Sequence, residues 1–369
     1  MRYRGSAMIA AVVAGFVLIA GFAVDARSTI AAYLVAWIAW GAIPIGALIL
    51  FMTSYLVRRR WTWVLHPVFV AATGLLPIVA LTFVPVLLFM KDIYPAIADG
   101  ASLPPFKAHW FTPWFFVLRT VLYFAAWIGL AEWLRRSWCN DEAMVRAAST
   151  GAIVGVLLIS FAGIDWMESL EPGFHSSIYG LIYLSFTLVT GTAFAIAAGL
   201  LSPRPIGPSR GYSGLLLAVL LLWCYLHAMQ YIVIWSGNIL KEVTWYLARS
   251  EHGWQFALAV LSLGQFVFPF CAMLSSKVRS DPHWLLALCV LTLGMRGLES
   301  AILILPALHG LSPAVTAVML IAGGIFLGLV LLLAFEAAVA RAPEENGPIA
   351  SIWPRTRGER EARSAGQER

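Results

Sequence analysis

Ten apolar runs dominate this 369-residue sequence, and each is long enough to cross a lipid bilayer. About 20 helical residues span the ~30 Å hydrocarbon core, where a backbone without water must satisfy its own hydrogen bonds. Hydrophobic residues make up 60% of the chain and charged residues 12%, which is too apolar for a water-exposed surface. We therefore predict an all-α integral membrane protein. The predicted spans cover about 6–24, 30–57, 63–90, 111–134, 149–170, 176–201, 212–235, 253–275, 283–306 and 312–340.

The distribution of positive charge predicts the orientation of these spans. Eighteen of the 25 Lys and Arg residues fall on the side that holds both termini, five fall on the other side, and two lie inside spans. Cytoplasmic loops carry the excess of Lys and Arg, so both termini are predicted to be cytoplasmic. Residues 341–369, rich in Arg and Glu, are predicted to form a disordered cytoplasmic tail.

Prolines and one possible processing site modify this topology. Pro67, Pro77 and Pro85 predict a kinked third span whose freed carbonyls find partners inside the bundle. The sequence Val24-Asp25-Ala26 resembles a signal-peptidase site, so the first span is either a cleaved signal or, as we prefer, a retained anchor.

Polar side chains inside the spans are the candidate functional residues, because a membrane excludes them unless they face protein or water. At the rise of a helix, Arg119, Asp165, His227 and Glu299 share a depth of roughly 8–15 Å below the outer surface. They could form a hydrated half-channel for protons, or helix-locking ion pairs such as Arg119 with Asp165 and Arg296 with Glu299, and both alternatives stay open. The proton-pathway candidates are Arg119, Asp165, Glu168, His227, Gln230, Gln265, Arg296 and Glu299.

The sequence predicts no cofactor bound by this chain. The four cysteines lie far apart without a CxxC or CxxCH motif, which disfavours covalent haem, zinc and iron–sulfur sites. His227 is the one histidine in mid-membrane, so a haem with two axial histidines is not predicted either. Nothing in the sequence resembles a nucleotide-binding loop or a nucleic-acid-binding motif.

Five segments, at 46–67, 112–136, 165–180, 230–249 and 265–270, resemble the second large membrane subunit of alternative complex III. Among them are DWMESLEPGFHSSIYG and QYIVIWSGNILKEVTWYLAR. That subunit belongs to the NrfD-like, or polysulfide-reductase, class of membrane proteins. The resemblance implies two four-helix bundles with flanking single spans, in a quinol:electron-acceptor oxidoreductase complex of the bacterial inner membrane. It also implies a homologous NrfD-like partner, extracytoplasmic iron–sulfur and cytochrome c subunits, and a quinone that the homologous subunit mainly serves.

Individual positions carry this resemblance. Arg119 matches the membrane-embedded arginine of the family, while Asp165 and Glu171 match its Asp-Trp…Glu-Pro motif. Three positions depart from the pattern: Gln265 stands where the family has His, Glu299 stands where it has Asp, and Leu-Lys-Glu replaces Pro-Glu-Glu at 240–242. The candidates for contact with partner subunits are Glu171, His175, Trp235, Asn238, Glu242, Trp245 and Tyr246.

Three functional hypotheses follow. The first is a membrane subunit that anchors redox subunits and conducts protons through the polar cluster in its outer half. The second is a purely structural anchor, which the replacement of a titratable His by Gln265 favours. The third is a secondary transporter, against which stands the absence from the sequence of Gly- or Pro-broken helices in matching halves.

Overall fold

The protein is helical throughout the part of the chain that the computed structural model describes: residues 2–57, 60–98, 105–138, 140–202 and 210–341. The predicted tail lies outside the described residues from residue 342 onward. The α-helices are α1 (Arg2–Val24), α2 (Ala26–Val57), α3 (Arg60–Thr73), α4 (Leu76–Thr82), α5 (Val84–Leu88), α6 (Met90–Ile93), α7 (Pro95–Ala98), α8 (Pro105–Trp110), α9 (Pro113–Ser137), α10 (Asp141–Trp166), α11 (Tyr179–Leu201), α12 (Arg210–Gly237), α13 (Leu240–Ala248), α14 (Trp254–Ser262), α15 (Phe268–Leu274), α16 (Ser276–Ser280), α17 (Pro282–Ile304) and α18 (Pro313–Arg341). Short 3-10 turns at Glu168–Leu170 and Leu305–Ala307 and a π turn at Leu263–Val267 extend or interrupt them.

Ten segments of the described chain are long and apolar enough to cross a membrane, which confirms the predicted multi-pass, all-α fold. We number them as spans one to ten in chain order. They are Arg4–Val24, Ala26–Val57, Val64–Leu88, Pro113–Ser137, Asp141–Leu170, Tyr179–Leu201, Arg210–Gly237, Trp254–Leu274, Pro282–Ala307 and Pro313–Ala340.

The spans pack as two four-helix bundles with two flanking helices. Spans two to five form the first bundle and spans six to nine the second. Span two and span six, the first helix of each bundle, pack against one another along their length. Spans one and ten pair with each other and cover the outer side of span two. This arrangement is the one that the family resemblance implies.

The two ends of the molecule differ in character. One end, called here the loop-rich end, collects 90–98, 105–112, 167–178, 238–253 and 305–312. The other, the arginine-rich end, carries Arg135, Arg136, Arg210, Lys277 and Arg279. Spans two and six both start at the loop-rich end, so the two bundles run in the same direction.

A close crossing of α2 and α11 holds the two bundles together. Nearly every side chain of α2 from Ser28 to Tyr55 is buried, as the central position of the helix requires. At the crossing, a Cβ atom on Gly46 would lie 1.9 Å from the backbone oxygen of Thr187. A Cβ on Gly191 would lie 2.7 Å from the carbonyl carbon of Gly46, so the contact between these helices is backbone to backbone.

Span three is broken, as its prolines predict. Pro67 lies inside α3, but Pro77 and Pro85 begin the short helices α4 and α5. Because Phe83 and Val86 donate to residues three positions back, the carbonyls of Val79 and Thr82 lose their usual partners. The Trp37 indole donates to Val79 O at 3.2 Å, and the Tyr33 hydroxyl donates to Thr82 O at 2.7 Å. The freed carbonyls therefore find partners on α2.

Span eight contains a π turn at Leu263–Val267, directly before Pro269. Proline has no N–H, so the Gln265 carbonyl lacks its usual donor four residues later. A π turn absorbs such a mismatch and often marks a functional position. It also carries the Gln265 side chain, which is fully buried, and Gly264 of the turn packs against Met295 of α17.

Candidate functional site

The buried charges inside the spans form two separate clusters, one in each bundle. The first, called the Asp165 cluster, joins α8, α9 and α10 near the loop-rich end. Arg119 Nε and Nη2 donate to the two carboxylate oxygens of Asp165 at 2.8 and 2.9 Å. The Trp110 indole donates to Asp165 Oδ1 at 3.0 Å, and the Tyr123 hydroxyl donates to Oδ2 at 2.6 Å. Asp165 is fully buried and accepts four hydrogen bonds.

The Asp165 cluster is closed by its own contacts. The remaining Arg119 nitrogen, Nη1, donates to the carbonyl of Trp110 at 2.7 Å, and the guanidinium lies 4.2 Å from the centre of the Trp110 ring. A bidentate Arg–carboxylate pair whose donors and acceptors all have partners within the chain fixes the positions of its helices. Of the two alternatives drawn from the sequence, the helix-locking pair describes this cluster.

The second cluster, called the Glu299 cluster, lies between α11, α12 and α17. Glu299 Oε1 accepts from the Trp223 indole at 2.9 Å and lies 3.1 Å from His227 Nε2. Arg296, one helical turn away on α17, forms an ion pair with Glu299. Its guanidinium lies over the rings of Phe186 and Trp223, at 5.2 and 5.3 Å. Glu299 sits about 12 Å, eight residues, from the loop-rich end of its span.

Polar atoms of the Glu299 region remain unsatisfied. Within the described part of the chain, Arg296 Nε and Nη2, both amide atoms of Gln265 and the Thr292 hydroxyl have no hydrogen-bond partner. Arg296, Gln265 and Thr292 are all fully buried. A buried donor or acceptor without a partner is destabilising by about 1–3 kcal/mol, so such a group in a native protein requires an explanation. These groups distinguish the Glu299 cluster from the Asp165 cluster.

Glu168 and Gln230, the candidates three residues after Asp165 and His227, both contact Ser176. Glu168 Oε1 accepts from the Ser176 N–H at 3.3 Å, and Gln230 Oε1 accepts from the Ser176 hydroxyl at 3.4 Å. Tyr179 follows in the same region, fully buried, with no partner for its hydroxyl among the described residues. It is the first residue of α11, at the loop-rich end, and α11 packs against α17, which carries Glu299.

The residues predicted to contact partner subunits divide into three groups. His175, Trp235 and Asn238 are exposed at the loop-rich end, and Trp235 keeps 71% of its surface. Glu242 and Tyr246 are half-buried. Trp245 is buried and Glu171 pairs with Arg249, so both have partners within the chain.

Arg249 is a buried residue that is not among the candidates predicted from the sequence. Its Nη1 pairs with Glu171 at 2.8 Å and also donates to Trp245 O, while Nε and Nη2 donate to Ile302 O and Leu303 O at 2.9 Å. The last carbonyls of α17 are thereby capped. A Trp four residues before an Arg on a short helix is the signal that indicates this cation–π contact, measured at 3.7 Å.

A cavity of about 270 Å³ opens beside the Asp165 cluster at the loop-rich end. Most of its wall is aromatic or aliphatic, including Phe106, Phe161 and Ile164. Three charged side chains line it as well, Lys107, Glu168 and Glu171, and Glu171 is paired with Arg249. Burial lowers the pKa of Lys107, and burial together with the Lys107 charge lowers the pKa of His175 at the rim.

No protein-family model matches this chain, and no curated protein matches its sequence. Across the described residues, no group of three or more His, Cys, Asp and Glu side chains has the arrangement of a metal site. The polar clusters and the cavity are therefore the features on which a functional interpretation depends.

Proposed function

We propose that this protein is a membrane subunit of a quinol:electron-acceptor oxidoreductase complex, in which it anchors extracytoplasmic redox subunits and conducts protons. The proposal joins the sequence resemblance to one observation, the under-satisfied Glu299 cluster. A carboxylate buried beside an imidazole, with unpaired amide, guanidinium and hydroxyl groups around it, is an arrangement in which a proton can be held and moved.

The proposed proton path lies in the second bundle. It leads from the loop-rich end past the Tyr179 hydroxyl to Glu299, where His227 offers a second titratable nitrogen at 3.1 Å. The His227 side chain keeps 27% of its surface whereas that of Glu299 keeps 1%, so the imidazole is the outer member of the pair. Gln265 cannot carry a proton, but its amide is buried and unpaired among the described residues.

The proposed orientation places the loop-rich end outside the bacterial inner membrane and both termini in the cytoplasm. The excess of Lys and Arg at the arginine-rich end supports it. Iron–sulfur and c-type cytochrome subunits would then dock beside exposed Trp235 and Asn238, and the homologous NrfD-like subunit would lie alongside in the membrane. In this proposal the chain holds no resident cofactor, and quinol oxidation belongs mainly to the homologous subunit.

Isolation of the native complex in mild detergent tests the assembly. We expect iron–sulfur or haem c polypeptides to copurify, with their visible spectra. A stable, cofactor-free monomer from native membranes would refute it.

Proteoliposomes that contain the complex test the proton role. Glu299→Gln and Tyr179→Phe should reduce proton uptake per electron while assembly persists, whereas the matched exposed carboxylate variant Glu132→Gln should change nothing. Unchanged proton uptake in Glu299→Gln would favour the second candidate, a structural anchor. The fully paired Asp165 cluster also supports that candidate.

The transporter hypothesis is less well supported by the fold. The broken helices are the second helix of the first bundle and the third helix of the second bundle, so they do not occupy matching positions. Substrate uptake by the purified chain alone in liposomes would nevertheless establish it.

A further inference from the structure

Lys107 and Glu168 line the cavity with opposite charges and form no ion pair with each other, while the third charged side chain, Glu171, pairs with Arg249. Lys107 Nζ donates to Pro172 O at 3.3 Å and lies 3.1 and 2.8 Å from His175 Nδ1 and Nε2. A neutral imidazole accepts at only one of its two nitrogens, which leaves one of the three Lys107 N–H groups for another acceptor. Across the cavity, Glu168 Oε2 is buried without a hydrogen-bond partner in the described residues. No ion pair within 4.0 Å joins the two side chains, although each lies in the field of the other.

The position of the cavity matches the head-group level of a bilayer. Glu168 lies two residues, about 3 Å, before the end of span five. Aromatic side chains line the cavity at this depth, where Trp and Tyr belts usually lie. A ligand that occupied it would have its polar group at the interface and any tail in the hydrocarbon.

A lipid-exposed stripe continues from the cavity down α10. Glu168, Ile164 and Phe161 line the cavity at helical spacing, and the same stripe continues through Leu157 to Val154. Phe161 and Leu157 keep 46% and 54% of their surface. The stripe offers an acyl chain an apolar path that begins at the cavity.

We propose that the cavity binds a lipid head group that carries both an ammonium and a phosphate, as phosphatidylethanolamine does. The ammonium would donate to Glu168 Oε2, and the phosphate would accept from Lys107 Nζ, with an acyl chain along Phe161 and Leu157. Each unsatisfied charge of the cavity then meets its opposite, in a site of reduced dielectric where charge-assisted hydrogen bonds are strong. This inference goes beyond the proposed function and does not rest on it.

The head-group chemistry makes the proposal selective. Phosphatidylcholine has a quaternary ammonium without N–H groups, so it cannot donate to Glu168. Phosphatidylglycerol has no cation and would bring its phosphate charge toward a carboxylate. We therefore expect binding in the order ethanolamine, then choline, then glycerol, with the first preferred by about tenfold, which corresponds to one such hydrogen bond of roughly 1.4 kcal/mol.

Native mass spectrometry of the purified full chain, delipidated and titrated with each phospholipid, tests this. Glu168→Gln should abolish the preference for ethanolamine over choline, and Lys107→Ala should weaken binding of all three lipids. Glu132→Gln and Lys277→Ala, exposed at the arginine-rich end, serve as matched controls. Thermal unfolding of each variant verifies that it is folded, and Lys107→Arg, which keeps the charge, should retain binding if Lys107→Ala proves unstable.

Three results would overturn the proposal. Equal binding of the ethanolamine and choline lipids by the wild-type chain would remove the role of Glu168. Tighter binding of phosphatidylglycerol would indicate a simple anion site. If a long-chain quinol displaced phosphatidylethanolamine at a lower concentration than the other phospholipids do, the cavity would be assigned to a quinol ring and not to a phospholipid head group. None of these results bears on copurification with redox subunits or on proton uptake through Glu299.

Discussion

Replacement of Gly46 by alanine should separate the two bundles. The new Cβ would lie 1.9 Å from Thr187 O, and ordinary contact begins near 3.4 Å, so α2 and α11 must move apart by about 1.5 Å. Neither side of this contact is a flexible side chain that could turn away. Separation by even 0.5–1 Å forfeits about a quarter to a half of the dispersion energy of each atom pair. We expect a loss of roughly 3 kcal/mol or more, at the upper end of the range for overpacked cores.

Unfolding of the purified chain in mixed micelles of mild detergent and dodecyl sulfate, followed by tryptophan fluorescence, measures this loss. Gly129→Ala on α9 is the matched control, because a Cβ there has nothing within 4 Å, and it should change the free energy of unfolding by less than about 1 kcal/mol. The double variant Gly46→Ala, Gly191→Ala should lose less than the sum of the single losses, since the first separation makes room for the second. Equal stability of Gly46→Ala and Gly129→Ala would refute the backbone crossing.

Three further predictions concern the polar contacts. Asp165→Asn leaves the Arg119 charge buried without a counter-ion and should destabilise the protein by about 3–5 kcal/mol in the same assay, with partial recovery on Arg119→Gln. Arg249→Met removes the cap from α17 and should destabilise it by about 3 kcal/mol, visible as faster amide hydrogen exchange at the end of that helix. Asp25 accepts from Ser28 N and Oγ at the start of α2, which lowers its pKa. Because the pKa of Asp25 is lower in the folded state, its ionised carboxylate stabilises the protein fully above the unfolded-state pKa, and this contribution is lost as the pH falls through the folded-state pKa. Asp25→Ala should therefore lower the free energy of unfolding by about 1 kcal/mol at neutral pH but not at strongly acidic pH.

Hydropathy and proline positions predicted most of the fold. Ten apolar runs require ten helices, because a backbone in the bilayer must satisfy its own hydrogen bonds. Pro77 and Pro85 break span three, because proline has no N–H to donate to the preceding turn. The fifth span was predicted to begin at residue 149, but its helix begins at Asp141. The charged first turn after residue 140 reads as a loop, but Asn140 caps the helix and Asp141 favours its N-terminus.

The site was harder to predict because spacing along one helix does not define its rotation. The pairs Arg119–Asp165 and Arg296–Glu299 were anticipated, and both are formed. The aromatic donors that complete the clusters, Trp110, Tyr123 and Trp223, were not identified. In a membrane sequence such residues are indistinguishable from an interfacial belt until the neighbouring helix is in place.

The two acidic residues occupy comparable positions in their bundles, and their different partners suggest different roles. Asp165 and Glu299 lie in the fourth helix of the first and second bundle, each shortly before a 3-10 turn. The arginine of Asp165 comes from the third helix, so that ion pair ties two helices together and its loss separates them. The arginine of Glu299 comes from the same helix, three residues earlier, and the third helix offers Gln265 instead. Protonation of Glu299, as proposed above, would therefore break no contact between helices through Arg296, and the contacts between helices that it would alter are those with Trp223 and His227 on α12.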